Sequence, residues 1–267
     1  MKLFKSCKPE HDVASECKSL KLGTLYGYQR DEDDNIRDEG EGTYHLELQF
    51  LEKIKLSKQI ANVLLHPLFN FGAYKPIKFS GHIQCTGSGI RVENKEKHSI
   101  AIEAKSLAIR RQVSDRFVFC MSISRSKPPA ISGNYTTHWG ISDKDAAEFA
   151  HGMAKGLIAS IKKNRMIVKG LSENDIKTLK VIYKHRRVSY ISRTHKFSKV
   201  NQESVDSYVK SLTYMDFIKP SKYAQNYEYR FTFEVHSESG VHLPASDSAF
   251  IDSTFIEKHV IKKPRSR

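Results

Sequence analysis

The stretch YAQNYEYRF, residues 223–231, alternates aromatic side chains with polar and charged ones. A period of two is that of a half-buried strand, which puts Glu228 and Arg230 on one face and Tyr227, Tyr229 and Phe231 on the packed one. A carboxylate and a guanidinium so placed either bond each other on a solvated face or present a fixed carboxylate to a ligand, and spacing alone leaves both open. A second pattern lies in IEAK, where Glu103 and Lys105 stand in an apolar run with Asp38 and other acids upstream. An acid followed by E-x-K is how one class of metal-dependent nucleases holds Mg²⁺ and positions the attacking water, although a lysine-rich strand contains E-x-K by chance. Ser122 and Ser124, in CMSIS, read as cross-strand hydroxyls, since no G-x-S-x-G elbow surrounds them. Trp139 is the only tryptophan; it packs in a core or offers its face to a base.

These residues need elements to hold them. LKLGTLYGYQ (20–29) and TYHLELQF (43–50) read as strands on either side of a turn-rich acidic loop. EKIKLSKQIANVLL (52–65) puts Ile54, Ile60, Val63 and Leu64 on one helical face. From 77 to 125 short apolar runs predict strands, with GSG at 87–89 as a hairpin turn; it lacks the Lys-Ser/Thr of a phosphate-binding loop. Ser142 with Asp145, and Ser172 with Asp175, are capping-box pairs that open helices. The chain returns to strand at RVSYISR (187–193), passes a helix-like VDSYVKSL, and ends in the strand that carries Glu228. Strands at both ends with helices between them predict one α+β domain over residues 1–267.

The chain is long enough to bury a substantial core, and its 39% hydrophobic content argues against general disorder. No run reads as a signal peptide or a membrane span, so a soluble cytoplasmic protein with no membrane partner is expected. Cys7, Cys17, Cys85 and Cys120 lack metal-ligand spacing and suit a reducing compartment. The formal charge is +14, although residues 31–41 (DEDDNIRDEGE) carry net −6. That run lacks the spacing of a calcium loop and reads as a solvated acidic turn. Basicity elsewhere favours a polyanionic partner, and the tail 257–267 reads as a basic arm or a frayed terminus.

Four segments in order, LGTLYGYQ followed by DEGEG, FVFCMSIS followed by HWG, RVSYISR, and FIKPSKYAQNYEYRF, resemble a broad bacterial and phage family with an ADP-ribosyltransferase-like fold, some of whose members sit in toxin or phage-defence loci. The resemblance implies a split β-sandwich with peripheral helices that binds NAD in a cleft between two sheets and transfers ADP-ribose. It places Glu228 as the carboxylate opposite the developing positive charge of the nicotinamide ribose. Gly23, Thr24, Tyr28 and Arg30 would contact NAD, and Ser122 and Ser124 would line the supporting strand. Gln225, Asn226, Arg230 and Trp139 fall to substrate binding. Asn226 stands where the family has Gln or Glu, so acceptor choice stays open, and Arg30 follows Gln29 where the family often has Arg directly after the Tyr. Together with the charge, this predicts a mono-ADP-ribosyltransferase toxin acting on nucleic acid, RNA before DNA, with a protein antitoxin as a further partner. The alternatives are a metal-dependent nuclease using Glu103 and Lys105, and a non-catalytic RNA-binding protein.

Overall fold

The structure, a computed structural model, describes residues 1–15, 17–31, 37–65, 71, 81–94, 96–124, 135–197 and 202–261. Residues 32–36 of the acidic run, the start of IKFSGHIQC and residues 262–267 of the basic tail therefore lie outside the described residues. The fold is mixed α and β with mostly sheet, and the chain divides into two compact units. No helix among the described residues is long and apolar enough to cross a membrane.

One unit comprises Gly42–Ser114 and Ile191–Pro220. Its centre is a long antiparallel pair, Thr43–Ser57 against Ser99–Val113. The helix expected over 52–65 is confined to Lys58–Leu65. Ile54 and Leu56 instead face Ile102 and Ile100 across the ladder, so period two wins over period 3.6 in EKIKLS. GSG is not a hairpin turn either. Gly81–Ser88 and Arg91–Glu93 both pair with Ser99–Val113 in one continuous register, Ser88 opposite Ser106 and Arg91 opposite Glu103. Gly89, at φ +60, is a break in a single strand, where a Cβ would lie 2.8 Å from the Lys105 side chain.

The other unit comprises Met1–Glu41, Asp115–Tyr190 and Ser221–Arg267. The strands of its main sheet are β1 (Lys2–Cys7), β2 (Ser19–Thr24), β3 (Phe117–Ser124), β4 (Thr137–Ser142), β5 (Lys180–Arg187), β6 (Glu228–Ser237), β7 (Gly240–His242), β8 (Ser248–Asp252) and β9 (Val260–Ile261). Its helices are α1 (Leu25–Gln29), α2 (Ala146–Lys163) and α3 (Glu173–Lys177). The strand expected over 20–29 stops at Thr24, whose hydroxyl accepts from the Gly27 amide and so starts α1. Ser142 caps a short 3₁₀ turn that runs into α2, and Ser172 and Asp175 form the reciprocal box that opens α3.

β3 and β6 are central. Their antiparallel register puts Phe231 opposite Phe119 on one face, and Arg230 opposite Cys120 and Glu228 opposite Ser122 on the other. α2 covers the aromatic face with Phe149, Met153, Leu157 and Ile161, all fully buried. The Phe149 ring lies 5.5 Å from Phe231 and 6.1 Å from Phe119. Each such ring contributes about 1.5–3 kcal/mol by burial, enough to hold the two central strands rigid against the helix. Gly152 lets α2 approach closely, because a Cβ there would stand 2.4 Å from the Phe255 carbonyl oxygen.

Residues 223–231 are not one strand. Ser221–Asn226 is 3₁₀ and β6 begins at Glu228. Between them Tyr227 has φ +43 and is 62% exposed, so it does not join Tyr229 and Phe231 in the packed face. An L-residue costs about 1–2 kcal/mol in this left-handed region.

Candidate active site at a fork in the sheet

β3 pairs with β6 along one edge, but its other edge is shared by two strands. β1 takes Ser122–Ser124 and β2 takes Phe117 and Val118. Between them, among the described residues, no strand pairs with Phe119–Met121 on that edge. Lys5 reaches into the gap, and its ammonium donates to the Cys120 carbonyl at 3.1 Å and lies 5.0 Å from the Phe119 ring centre. Where β1 and β2 part, a cleft of about 530 Å³ opens, within the range usual for small-molecule sites.

Its walls combine flat rings and cations. Phe119, Trp139 and Tyr28 contribute aromatic surface, and Lys5, Lys8 and Lys21 contribute positive charge. Arg30 is also there, ion-paired to Asp247. Trp139 stacks on Phe119 at 6.0 Å, and its buried indole N–H has no hydrogen-bond partner among the described residues. The Tyr28 ring lies over β2, in ordinary van der Waals range, 3.4 Å, of where a Cβ on Gly23 would be.

Tyr28 has a second role. Its ring is partly open to the cleft, but its hydroxyl is inside, hydrogen-bonded to Cys120 and close to Glu228. Burial first, then Cys120 and Glu228, hold the phenol well above its usual range, so it remains an O–H donor at any physiological pH. On this face of the sheet, Arg230 is completely buried between two carboxylates. Its Nε and one terminal nitrogen donate to Glu228 Oε1, each at 2.7 Å. Its terminal nitrogens also grip Glu41 at 2.7 and 3.1 Å. Burial opposes the guanidinium charge, yet Glu228 and Glu41 together hold its pKa well above the ordinary value. Arg230 thus serves both carboxylates at once.

The backbone fixes Glu228 as well. Its amide donates to the Tyr190 hydroxyl at 2.7 Å, and its carbonyl accepts from the Val188 amide at 3.0 Å. Glu41 is anchored from the end of α1, where the Gln29 side chain donates to the Glu41 carbonyl, and from the segment after it, where the Glu41 amide donates to the Asp38 carbonyl.

The structure thus brings Gly23, Thr24, Tyr28, Arg30 and Trp139 to one cleft. It places Glu228, Arg230 and Ser122 in the adjoining buried cluster, where the two charges meet neither solvent nor the open cleft directly. Ser124 sits at the end of β3 opposite Lys2. Gln225 is exposed and Asn226 half-buried in the 3₁₀ turn. Glu103 and Lys105 belong to the unit built on Thr43–Ser57, whereas Asp38 belongs to the other. Among the described residues no three His, Cys, Asp or Glu gather as a metal-ligand set. Sequence reasoning missed Lys5 and Glu41. Glu41 did carry a signal, an acid flanked by Gly40 and Gly42, the latter at φ +70.

Compared with protein-family models, curated proteins and solved structures, the chain matches none.

Proposed function

We propose that the protein is an NAD-dependent mono-ADP-ribosyltransferase acting on nucleic acid, with RNA as the favoured acceptor, and that its fold is the ADP-ribosyltransferase-like split sandwich. One observation carries the reading. Five residues that the family resemblance assigns to NAD or substrate share the fork cleft, and Tyr28 joins that cleft to the buried Glu228.

The chemistry fits the groups present. Lys5, Lys8 and Lys21 offset the two negative charges of a pyrophosphate, and the partly open Tyr28 ring suits adenine or nicotinamide. In the reaction the bond between the ribose anomeric carbon and the nicotinamide nitrogen breaks, and nicotinamide leaves with the electron pair. The ribosyl carbon becomes oxocarbenium-like and is attacked by the acceptor nucleophile, whose proton passes to solvent. A carboxylate held rigidly against that developing positive charge lowers the barrier electrostatically. Glu41 matters here because it shares the Arg230 guanidinium with Glu228 and so helps to fix the position of both.

The test is incubation with NAD labelled on the adenylate, with RNA, DNA and protein as acceptors, for the parent and for Glu228→Gln. Label is expected in RNA with the parent and not with the variant. If no fraction is labelled and no NAD is consumed, the reading is wrong.

A further inference from the structure

The unit that does not hold the fork cleft, Gly42–Ser114 with Ile191–Pro220, contains 16 Lys and Arg against eight acids, so it carries net +8 of the chain's +14. Its sheet buries one face and leaves the other open. Leu46 and Leu48, opposite Ile109 and Leu107, are all buried, so the alternate residues of the same strands face outward.

Register sets out this open face in rows. Gln84 is opposite Arg110, Arg110 opposite His45, and His45 opposite Thr194 of the strand Thr194–Phe197. Two residues along, Thr86, Ala108, Glu47 and Lys196 make the next row, and on the other side Gln112 lies opposite His82. At about 4.8 Å between strands and about 3.3 Å per residue, the rows cover a patch of roughly 14 by 13 Å.

The hydrogen-bonding groups on this patch are unused. Among the described residues Gln84, Gln112, His45 and Thr194 make no side-chain hydrogen bond, and the exposed Arg110 has neither a hydrogen bond nor an ion pair. The one acid in these rows, Glu47, is held by Lys196 at 2.9 Å. Burial, then the Arg110 charge, lowers the His45 pKa, so its imidazole stays neutral at physiological pH and can both donate and accept.

These side chains select a ligand class. A guanidinium with no carboxylate of its own suits a phosphate, and the amides, hydroxyl and imidazole around it suit hydroxyl groups that donate and accept in turn. The rows contain no Phe, Tyr or Trp, so the face lacks the rings on which single-stranded bases stack. Duplex RNA instead presents phosphates and 2′-hydroxyls across a wide, shallow minor groove, which a broad sheet face can meet. We infer that this face docks double-stranded RNA, with Arg110 on a phosphate and Gln84, His45 and Thr194 on neighbouring 2′-hydroxyls. The face and the fork cleft belong to different units, so the inference stands without the transferase reading.

The test is fluorescence anisotropy on the full chain, without NAD, using a labelled RNA duplex of about 16 base pairs. The same sequence as single-stranded RNA and as duplex DNA, and labelled poly-glutamate in place of an acidic protein, are the comparisons. Arg110→Gln should melt with the parent, since the side chain is exposed and unpartnered. It should weaken duplex RNA binding about tenfold, the low end for one hydrogen bond to a charged group. It should also cut the affinity lost between about 50 and 200 mM salt by roughly 3.5-fold, as one phosphate contact is lost. Arg110→Lys should keep the parent's salt slope. The double variant Gln84→Ala, Thr194→Val removes no charge, so it should keep that slope while narrowing the preference for duplex RNA over duplex DNA. An unchanged salt slope in Arg110→Gln would overturn the proposal, as would single-stranded RNA, duplex DNA or poly-glutamate binding the parent as tightly as duplex RNA. The two readings fail separately. Duplex RNA binding on this face without ADP-ribose transfer refutes only the transferase reading, whereas transfer without any preference for duplex RNA refutes only this one.

Discussion

Replacing Glu41 and Glu228 by glutamine, one at a time, separates a catalytic carboxylate from a structural ion pair. Both changes remove one negative charge from the same buried cluster, so charge alone predicts equal effects. Geometry does not. In Glu228→Gln, Arg230 keeps its two-pronged hold on Glu41 at 2.7 and 3.1 Å, and the amide oxygen still accepts from its Nε. The loss is the charge assistance of bonds to one oxygen, about 1 kcal/mol. In Glu41→Gln the guanidinium fork meets one acceptor and one N–H₂ group, at a site where both side chains are fully buried. That leaves a buried donor facing a donor and costs about 3 kcal/mol, the low end for removing one member of a buried pair, because Glu228 still balances Arg230. For a unit of this size each kcal/mol moves Tm by about 2–4 °C, so Glu41→Gln should melt roughly 6–12 °C lower and Glu228→Gln roughly 2–4 °C lower. Activity should rank the other way. Loss of a preorganised charge at the reacting centre costs about 10²–10³ in rate, and this loss belongs to Glu228→Gln. Thermal melts and NAD turnover on the two variants decide the matter. If Glu228→Gln is destabilised as much as Glu41→Gln and still consumes NAD, Glu228 is only an ion-pair partner and the reasoning fails.

Three further outcomes are expected. Trp139 is the only indole in the chain and lines the cleft, so its emission should change on titration with NAD, and Lys5→Ala should weaken that titration about tenfold as one charge-assisted contact is lost. The Asp175 carboxyl is held below its ordinary pKa first by Ser172, then by Ser237 and Ser239. A depressed carboxylate contributes stability above the unfolded pKa, so the advantage of the parent over Asp175→Asn should be full above about pH 4. It should fade as pH falls toward the folded value, which urea midpoints across that range would show. Gly152→Ala should destabilise by about 1–3 kcal/mol through overpacking against the Phe255 carbonyl, although alanine is the better helix former by about 1 kcal/mol; an unchanged denaturation midpoint would refute this.

Local chemistry was legible where one element decides it. The alternation from Glu228 onward placed Tyr229 and Phe231 on the core face, and Ser172 with Asp175 announced a helix start, because each signal lies within a few residues of its effect. What was not legible depends on distant partners. EKIKLS carries apolar residues compatible with either period, and only Ile100 and Ile102, some forty residues on, make it a strand. Glu41 looks like one more acid in an acidic run until Arg230, 189 residues downstream, is seen to need it. Tyr227 fits the alternation perfectly, yet the 3₁₀ turn before it tips its side chain outward.

The fork is the clearest case, since it is a fact of register and no residue type announces it. Phe119 and Cys120 are neighbours that point to opposite faces of β3, one toward the aromatic core and one toward Arg230. In an unbroken sheet a ligand on one face is screened from the other by paired backbone. Because, among the described residues, β1 and β2 leave Phe119–Met121 without a strand on that edge, Tyr28 can present its ring to the cleft and its hydroxyl to the Cys120 side. Tyr28→Phe should therefore spare ligand stacking while removing the bond to Cys120 beside Glu228. NAD affinity would then hold near the parent value while turnover falls, and an equal loss of both would show that the two faces are not coupled through this residue.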